Sequence, residues 1–336
     1  MDTKTTTMRI AVVGLGAVGG LLAARLAGAA PGRLRVSALA RGATLNALRE
    51  RGLVLQQGGL ETPVAGIEAS DDARRLGEQD LVIVAVKGPA LPALAPTLAP
   101  LIGARTVVLP AMNGVPWWFL QASGDARPLA SVDPDGRTAA ALPLAQVIGG
   151  VVHFTCSSPA PGVVRHGFGD RIIVGPAASG GIAAARTGAV ASVLRDAGFT
   201  VEESGDIRRD IWFKLWGNMT MNPVSALTGA TCDLILDDEL VRGFMLRAMA
   251  EAAAIGARIG CPIAQSGEER MAVTRQLGAF KTSMLQDAEA GRPLEVGALV
   301  GAVHEIGARV GVETPAIGAL LGLTRLMART RGLAAG

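Results

Sequence analysis

The chain has 336 residues, of which 49% are apolar and 18% charged, a balance that argues against a disordered or fibrous protein. Its length exceeds what one compact core usually holds, so two domains are expected. The formal net charge of +3 comes without any run of Lys or Arg, which argues against a nucleic-acid-binding surface. Three widely spaced cysteines indicate neither a disulfide framework nor a metal site, and they fit a reducing compartment.

No segment of the sequence is predicted to enter a membrane. The first seven residues are polar and lack the apolar centre of a signal peptide. The longest apolar runs, such as 81–86, have the length of a strand and are too short to span a bilayer. We therefore expect a cytoplasmic protein.

Predicted strands alternate with helices through the first half of the chain. Apolar runs without polar alternation are typical of strands in a parallel sheet that is covered on both faces. They occur at 8–13, 34–39, 53–57, 81–86 and 107–109, with further strands at 148–154, 162–166, 171–174 and 199–202. Helical spacing follows the first strand and recurs at 44–51 and 182–197. This order predicts an α/β domain of the Rossmann type.

The pattern becomes helical after residue 205. Apolar positions have helical spacing at 206–219, 240–259, 267–278, 294–310 and 315–329. Strands followed by helices predict an α/β Rossmann-type domain at 8–205 joined to an all-α domain at 206–330. The polar segment 123–143 is interpreted as a surface insertion. The apolar C-terminal helices could form a homodimer interface or could pack within one subunit.

A glycine-rich turn lies directly between the first strand and the first helix. The first glycine of such a turn permits a tight bend, the second lets a pyrophosphate approach the backbone, and the third lets helix pack on strand. Free N–H groups at the helix start then attract phosphate. The strand–turn–helix context favours a dinucleotide site over an ordinary Gly-rich turn. The residues that match GxGxxG are Gly14, Leu15, Gly16, Ala17, Val18 and Gly19.

The end of the second strand indicates which dinucleotide binds. NAD sites usually place Asp or Glu there to bind the ribose 2′-hydroxyl. Here the strand ends in Ala38, Leu39, Ala40 and Arg41, with no acid. A cation at Arg41 suits a 2′-phosphate, so the sequence predicts NADPH. The alternative is that Arg41 is an ordinary solvated side chain.

Two loops after later strands carry polar side chains at the sheet edge where ligands bind in open α/β folds. Lys87 follows the strand at 81–86 and could meet a phosphate or a carboxylate. Asn113 follows the strand at 107–109, and its amide could face the nicotinamide or the substrate. Each residue alone is weak evidence, because Lys-Gly and Asn-Gly are also ordinary turn sequences.

The helix after residue 206 carries a row of polar side chains. Lys214, Asn218 and Asn222 are four residues apart, so they lie in one row if the helix continues. Pro223 disfavours helical geometry at the residue before it, so the row could end in a kink. A lysine and two amides beside aromatic bulk could bind and protonate a carbonyl oxygen. A solvated helix stripe is the alternative interpretation.

These motifs together resemble the ketopantoate reductase family over nearly the whole chain. The glycine turn, the Lys87 loop and Met112-Asn113-Gly114 come in the family's order. The Lys214 row and the segment 283–287 (Ser-Met-Leu-Gln-Asp) follow, and Glu295 comes after them. The family fold, a Rossmann domain followed by a helical domain, agrees with the predicted boundary.

The resemblance implies NADPH-dependent reduction of 2-dehydropantoate (ketopantoate) to pantoate. Lys214 would be the general acid that protonates the C2 alkoxide, and Lys87 would lie near cofactor and substrate. Such a protein would act on a small molecule without needing a metal, a nucleic acid or a membrane. The side chains that the resemblance implies for substrate binding are Asn113, Asn218, Asn222, Ser283 and Glu295.

Several positions depart from the family pattern in the helical half or beside the substrate loop. They are Met112, Leu294, Gly297 and Val300, where family members often have His, Thr, Asp and Asn. These departures bear on the substrate more than on the cofactor. A paralogue that acts on another branched 2-oxo or 2-hydroxy acid is therefore the first alternative. A non-catalytic NADPH-binding sensor is the second.

Overall fold

The structure, a computed structural model, describes residues 7–30 and 32–334. Its contacts divide the chain into two compact units. The first unit comprises residues up to 87, 91–112 and 136–207, and the second comprises 88–90, 113–135 and 208 onward. No helix among the described residues is long and apolar enough to cross a membrane.

The first unit contains all twelve strands of the described chain. They are β1 (Met8–Val13), β2 (Leu34–Leu39), β3 (Leu53–Gln57), β4 (Leu60–Val64), β5 (Glu68–Ser70), β6 (Leu81–Val84), β7 (Val107–Pro110), β8 (Ile148–His153), β9 (Cys156–Ala160), β10 (Val163–His166), β11 (Arg171–Pro176) and β12 (Thr200–Glu203). Its α-helices are α1 (Ala17–Ala29), α2 (Gly42–Arg51), α3 (Ala73–Leu76), α4 (Leu91–Leu94), α5 (Arg137–Ala141) and α6 (Gly181–Asp196).

A five-stranded parallel sheet forms the centre of this unit, in the order β5-β2-β1-β6-β7. Every residue of β6 and β7 is buried, which accounts for their uninterrupted apolar sequences. The chain moves outward from β1 to β5 and then returns to β6 on the other side of β1. This reversal makes the carboxyl ends of β1 and β6 the place where ligands bind in open α/β sheets.

Two smaller sheets complete the first unit. One has the order β4-β3-β10-β9, and the other has the order β12-β11-β8. A parallel bridge between Val108 and Val147 links the β7 edge to the segment that enters β8. The run at 53–57 is therefore a strand as expected, but it pairs with β4 and β10 outside the central parallel sheet.

The second unit is helical. Its helices are α7 (Ile207–Thr228, which begins at the last residue of the first unit), α8 (Cys232–Asp237), α9 (Glu239–Arg258), α10 (Gly267–Arg275), α11 (Ser283–Glu289), α12 (Ala302–Arg309) and α13 (Pro315–Thr330). A π-helical segment, Gly297–Gly301, leads directly into α12. Helix α7 runs through Pro223 to Thr228, so the Asn222-Pro223 step does not end it.

The segment predicted as a surface insertion, 123–143, is divided between the two units. Residues up to 135 group with the second unit, and the remainder, which includes α5, groups with the first. Within the second unit the backbone N–H groups of Ala130 and Ser131 donate to the Glu305 carboxylate, each at 2.9 Å. Leu129 and Asp133 are buried. Most of the segment is exposed, as expected of a surface segment, and these buried positions anchor it.

Candidate active site

Each glycine of the turn after β1 has its own physical requirement. Gly14 has φ +86°, and a Cβ there would lie 2.6 Å from Val86 Cγ1. A Cβ at Gly19 would overlap the Gly14 carbonyl oxygen, so only glycine lets α1 begin this close to the turn. Gly16 is different, because no described atom apart from those of Gly16 and its neighbours in the chain lies within 4 Å of its Cβ position. The fold requires the first and third glycines, whereas the second leaves open space.

The open space at Gly16 fits the phosphate groups of a dinucleotide. Gly16 is exposed and caps α1 with an extended backbone, and no side chain caps the helix. Leu15 is buried beneath the turn, while Ala17 and Val18 are half-buried. The first backbone N–H groups of a helix have no partner within the helix and favour negative charge.

Arg41 lies at the same edge of the sheet as the glycine turn. Val13 is paired with Leu39, and the Gly14 N–H donates to the Leu39 carbonyl at 3.0 Å. Arg41 comes two residues later, where its exposed side chain precedes α2. Neighbouring parallel strands thus bring together the turn and the cation. Lys87 follows β6 with a half-buried side chain, and β6 is the strand on the other side of β1.

Lys214 and Asn113 are in direct contact within the second unit. Lys214 Nζ donates a 2.9 Å hydrogen bond to Asn113 Oδ1. Since an ammonium has only donors, the amide must present its oxygen here. The next residue, Gly114, has φ +85°, and a Cβ there would lie 2.6 Å from the Ala298 carbonyl oxygen. The Val115 N–H donates to that oxygen at 2.9 Å, which anchors the Asn113 loop to the π-helical segment.

Glu295 supplies negative charge to the same group of residues. Its Oε1 accepts a 3.0 Å hydrogen bond from the Gly88 N–H. The Lys214 side chain is half-buried, and desolvation lowers the pKa of Lys214 to about 8. The charge of Glu295 acts in the opposite direction and favours the ammonium. The result is an amine that holds a proton at neutral pH and can give it up.

The two predicted amides continue the row along α7. Because α7 is unbroken at these positions, Asn218 and Asn222 follow Lys214 at successive turns. Asn218 is half-buried and Asn222 is buried. Pro223 has no N–H to donate to the carbonyl four residues earlier, yet the helix continues past it.

Ser283 lies apart from these contacts. It is the first residue of α11 and is exposed. Thr282, not Ser283, caps this helix, because its hydroxyl accepts a 3.2 Å hydrogen bond from the Leu285 N–H. Among the described residues, the Ser283 hydroxyl makes no hydrogen bond to the Lys214 row.

Three positions that depart from the family pattern have structural explanations. A Cβ at Gly297 would overlap the Ser131 carbonyl oxygen, so the segment ending at 135 leaves no room for a side chain there. Val300 is fully buried in the π-helical segment, and Leu294 is 3% exposed. Sequence patterns predicted a helix over 294–310 but not the π-helical geometry of Gly297–Gly301, and they gave no role to Gly88. The Gly88 contact uses a backbone N–H and has no side-chain signature.

The described residues contain no cluster of three or more His, Cys, Asp or Glu side chains arranged to hold a metal ion.

Both the N-terminal and the C-terminal parts of the chain match one family of known proteins. Residues 10–179 match the family described as ketopantoate reductase PanE/ApbA, and residues 206–328 match the C-terminal domain of the same family. A 2-dehydropantoate 2-reductase from Mesorhizobium japonicum is 41% identical over 97% of this chain and 99% of its own length.

Solved structures show the same relationship. A candidate ketopantoate reductase from Ralstonia solanacearum MolK2 is 58% identical, with a TM-score of 0.92, over 98% of this chain and 100% of that one. D-mandelate dehydrogenase, solved with NADH and anilino(oxo)acetate, shares the fold at 20% identity, with a TM-score of 0.83 over 97% of this chain and 100% of its own. The chain therefore belongs to the ketopantoate reductase family of oxidoreductases, whose members combine a Rossmann-like domain with a helical C-terminal domain.

Proposed function

We propose that this protein is an NADPH-dependent 2-dehydropantoate 2-reductase in which Lys214 donates the proton. The observation that carries the proposal is the half-buried Lys214 ammonium, hydrogen-bonded to Asn113 and close enough to Glu295 for their charges to interact. A surface lysine would keep a pKa near 10.5 and would need no such partners. The Mesorhizobium relative, 41% identical over nearly its whole length, is a 2-dehydropantoate 2-reductase.

The reaction divides between what the cofactor supplies and what the chain supplies. A bound nicotinamide nucleotide supplies the hydride that adds to C2 of the 2-oxo acid. As that carbon is reduced, its oxygen gains negative charge and needs a proton. The Lys214 ammonium stabilises that charge, gives up one proton to the oxygen and becomes a neutral amine. Asn113 holds Nζ in position while this happens.

The remaining side chains are proposed to orient the substrate. Asn218 and Asn222 follow Lys214 along α7, where their amides can bind the oxygens of a small hydroxy acid. Glu295 would orient the substrate hydroxyl, and Ser283 would contact the substrate from the start of α11. Lys87 and Asn113 are proposed to contact both cofactor and substrate. These roles follow the family pattern.

NADPH is the proposed form of the nucleotide. Family members use a nicotinamide cofactor, and the D-mandelate dehydrogenase structure contains NADH. In this chain β2 ends without an acid, and the exposed Arg41 stands at the sheet edge beside the glycine turn. A guanidinium can form two charge-assisted hydrogen bonds to a 2′-phosphate, which NADH lacks.

The second candidate function is reduction of another branched 2-oxo acid, or oxidation of the matching hydroxy acid. The observation that favours it is the contact of Ser131 with Gly297. The Ser131 carbonyl oxygen occupies the space that a side chain at Gly297 would need, two residues after Glu295, where family members often carry a polar side chain. A different substrate could therefore fit this protein with the same proton donor.

A panel of 2-oxo acids separates these functions. With NADPH oxidation as the readout, 2-dehydropantoate should have the highest kcat/KM among acids that differ in branching at C3. A different preferred acid would support the second candidate, and NADPH binding without turnover would support a sensor.

The homodimer and the cytoplasmic location stay predictions, and light scattering of the purified protein tests the former.

A further inference from the structure

Residues 125–133 form a strap that Glu305 fastens to helix α12. The Glu305 carboxylate accepts hydrogen bonds from the backbone N–H groups of Ala130 and Ser131, each at 2.9 Å, so both of its oxygens are used by the strap. Arg309, four residues later on α12, donates to Glu305 at 2.6 Å and also to two carbonyl groups of the strap. The two side chains together hold this part of the strap by its backbone.

The fastening is made by charged groups that are shielded from water. The side chain of Glu305 is 20% exposed and that of Arg309 is 16% exposed. Burial would raise the pKa of Glu305, but hydrogen bonds from the strap and from Arg309 outweigh it, so the pKa lies below its ordinary value. Charge-assisted hydrogen bonds of this kind stabilise more than exposed ion pairs such as the one between Arg275 and Asp237.

The strap lies directly on the π-helical segment Gly297–Gly301. The Ser131 carbonyl oxygen occupies the space that a Cβ at Gly297 would need, and Ser131 Oγ lies 3.2 Å from the Cβ position of Gly301. Because the two glycines are about one turn apart, the strap backbone approaches the segment at both. A π-helical turn departs from regular α-helical hydrogen bonding and is rare. We therefore expect contacts from outside the helix to maintain it.

The same segment fixes both groups that act on Lys214. The Ala298 carbonyl holds the Asn113 loop through the hydrogen bond described above. The Leu299 N–H donates to the Glu295 backbone carbonyl at 3.2 Å, which ties Glu295 to the segment. Asn113 binds Lys214 Nζ, and the charge of Glu295 favours the ammonium. A chain of contacts thus runs from α12 through the strap and the π-helical segment to the proton donor.

We propose that Glu305 is a positioning residue for this proton donor. It fastens the strap, the strap holds the π-helical segment, and the segment keeps Asn113 and Glu295 beside Lys214. The polar segment that interrupts the family pattern thus takes part in the reaction without touching the substrate. This inference rests on the proposed function and adds to it a residue that acts from a distance.

The test measures kcat/KM against pH in wild-type protein and in Glu305→Gln. The glutamine NH2 group cannot accept an N–H, so the strap loses part of its fastening. If Asn113 and Glu295 then move away from Lys214, both changes disfavour the ammonium. The fall of kcat/KM at high pH should move to lower pH by about 0.5–1 pH unit. The value of kcat at pH 7 should drop about tenfold.

A role in stability alone predicts a different result. Partial unfolding lowers the amount of active protein and leaves the fall of kcat/KM where it is in wild type. KM for NADPH should stay within about twofold of wild type in Glu305→Gln, because the glycine turn belongs to the other unit. A fall that stays in place in this variant would overturn the inference.

Glu251→Gln is the matched control. Glu251 also accepts two backbone N–H groups, those of Ala316 at 2.8 Å and Ile317 at 2.9 Å. These groups begin α13 and belong neither to the strap nor to the π-helical segment. The variant should lower the unfolding temperature about as much as Glu305→Gln does, yet leave the fall of kcat/KM in place. If it moves that fall equally, the effect is a general one and the inference fails.

Arg309→Ala provides the result if Glu305→Gln does not fold. It removes the guanidinium that donates to the strap carbonyls but leaves Glu305 with both of its N–H contacts. The fall of kcat/KM should therefore move in the same direction by a smaller amount. No movement, or movement to higher pH, would overturn the inference.

The inference and the proposed function can fail separately. If wild-type protein reduces 2-oxo acids and the Glu305 and Arg309 variants keep its pH profile, only the inference is wrong. If wild-type protein reduces none of them, the proposed function is wrong, and labelling of Lys214 by acetic anhydride, followed by mass spectrometry across pH, measures its pKa directly. A pKa that is lower in Glu305→Gln than in wild type and Glu251→Gln would still support the positioning role. Equal values in all three proteins would overturn it.

Discussion

Lys214 Nζ donates a 2.9 Å hydrogen bond to the side-chain oxygen of Asn113, a residue 101 positions earlier in the chain. The bond needs the Asn113 loop to stay in place, and the Val115–Ala298 hydrogen bond holds that loop against the π-helical segment. Irregular helical segments of this kind are frequent at functional sites. The contact therefore gives the lysine a defined position before any substrate binds.

The first prediction concerns the pH dependence of reduction. Only the ammonium form of Lys214 can donate a proton, so activity should fall as pH rises through its pKa. With that pKa at about 8, kcat/KM should be constant below about pH 7 and should fall about tenfold per pH unit above about pH 9. Lys214→Ala should lower kcat by about 10²- to 10⁴-fold. It should also abolish this fall of kcat/KM at high pH, the descending limb of the pH profile.

The control for Lys214→Ala is NADPH binding, measured by fluorescence titration. The dissociation constant should stay within about twofold of wild type, because the glycine turn and Arg41 belong to the other unit. Near-native turnover in Lys214→Ala, or an unchanged descending limb, would show that another group donates the proton.

A second prediction concerns the charge of Glu295. Glu295→Gln keeps an oxygen that can accept from the Gly88 N–H but removes the negative charge that favours the Lys214 ammonium. The pKa of Lys214 should therefore fall, and the descending limb of kcat/KM should move to lower pH. Glu289→Gln is the matched control, since Glu289 pairs with Lys281 at the surface. A limb that stays in place, or moves to higher pH, would contradict the assigned interaction.

The third prediction separates two glycines of the same turn. Gly16→Ala should leave the unfolding temperature unchanged, since its φ of −74° suits alanine and no described atom beyond its neighbours in the chain lies within 4 Å of the new Cβ. It should weaken NADPH binding about tenfold, or about 1.4 kcal/mol, because the methyl group enters the space left for phosphate. Gly19→Ala should instead lower the free energy of unfolding by about 1–3 kcal/mol through overlap with Gly14. Calorimetry and nucleotide titration of both variants provide the check; equal effects on stability would contradict it.

The fourth prediction concerns cofactor choice. Arg41→Ala should raise KM for NADPH about 10- to 100-fold, because a charge-assisted contact to the 2′-phosphate is lost. KM for NADH should change little. Arg49→Ala, in the helix α2 that Arg41 precedes, removes an exposed ion pair with Asp71 and should leave both values near wild type. If Arg41→Ala keeps the full preference for NADPH, a different group binds the 2′-phosphate.

Much of the first unit could be predicted because its signals are local. Strands β1, β2, β6 and β7 appear as uninterrupted apolar runs, and the glycine turn stands between a strand and a helix in the sequence itself. Strands β4, β5 and β9 were missed, and β9 (Cys156–Ala160) is a strand of small residues that pairs with β10. Residues Leu60–Val64 are mostly exposed, and Glu68–Ser70 is three residues long, so each depends on the partner strand that accepts it.

By itself, the sequence determined the family, the alternation of strands and helices, the absence of an acid after β2 and the spacing of Lys214, Asn218 and Asn222. These follow from neighbours along the chain, where helix and strand periods and turn chemistry act directly. Only the tertiary structure decided that Asn113 holds Lys214, and that the charge of Glu295 partly opposes the desolvation that lowers the pKa of Lys214. It also decided that Glu305 holds the backbone of Ala130 and Ser131. Burial and charge–charge distance depend on residues far apart in sequence, and no local pattern records them.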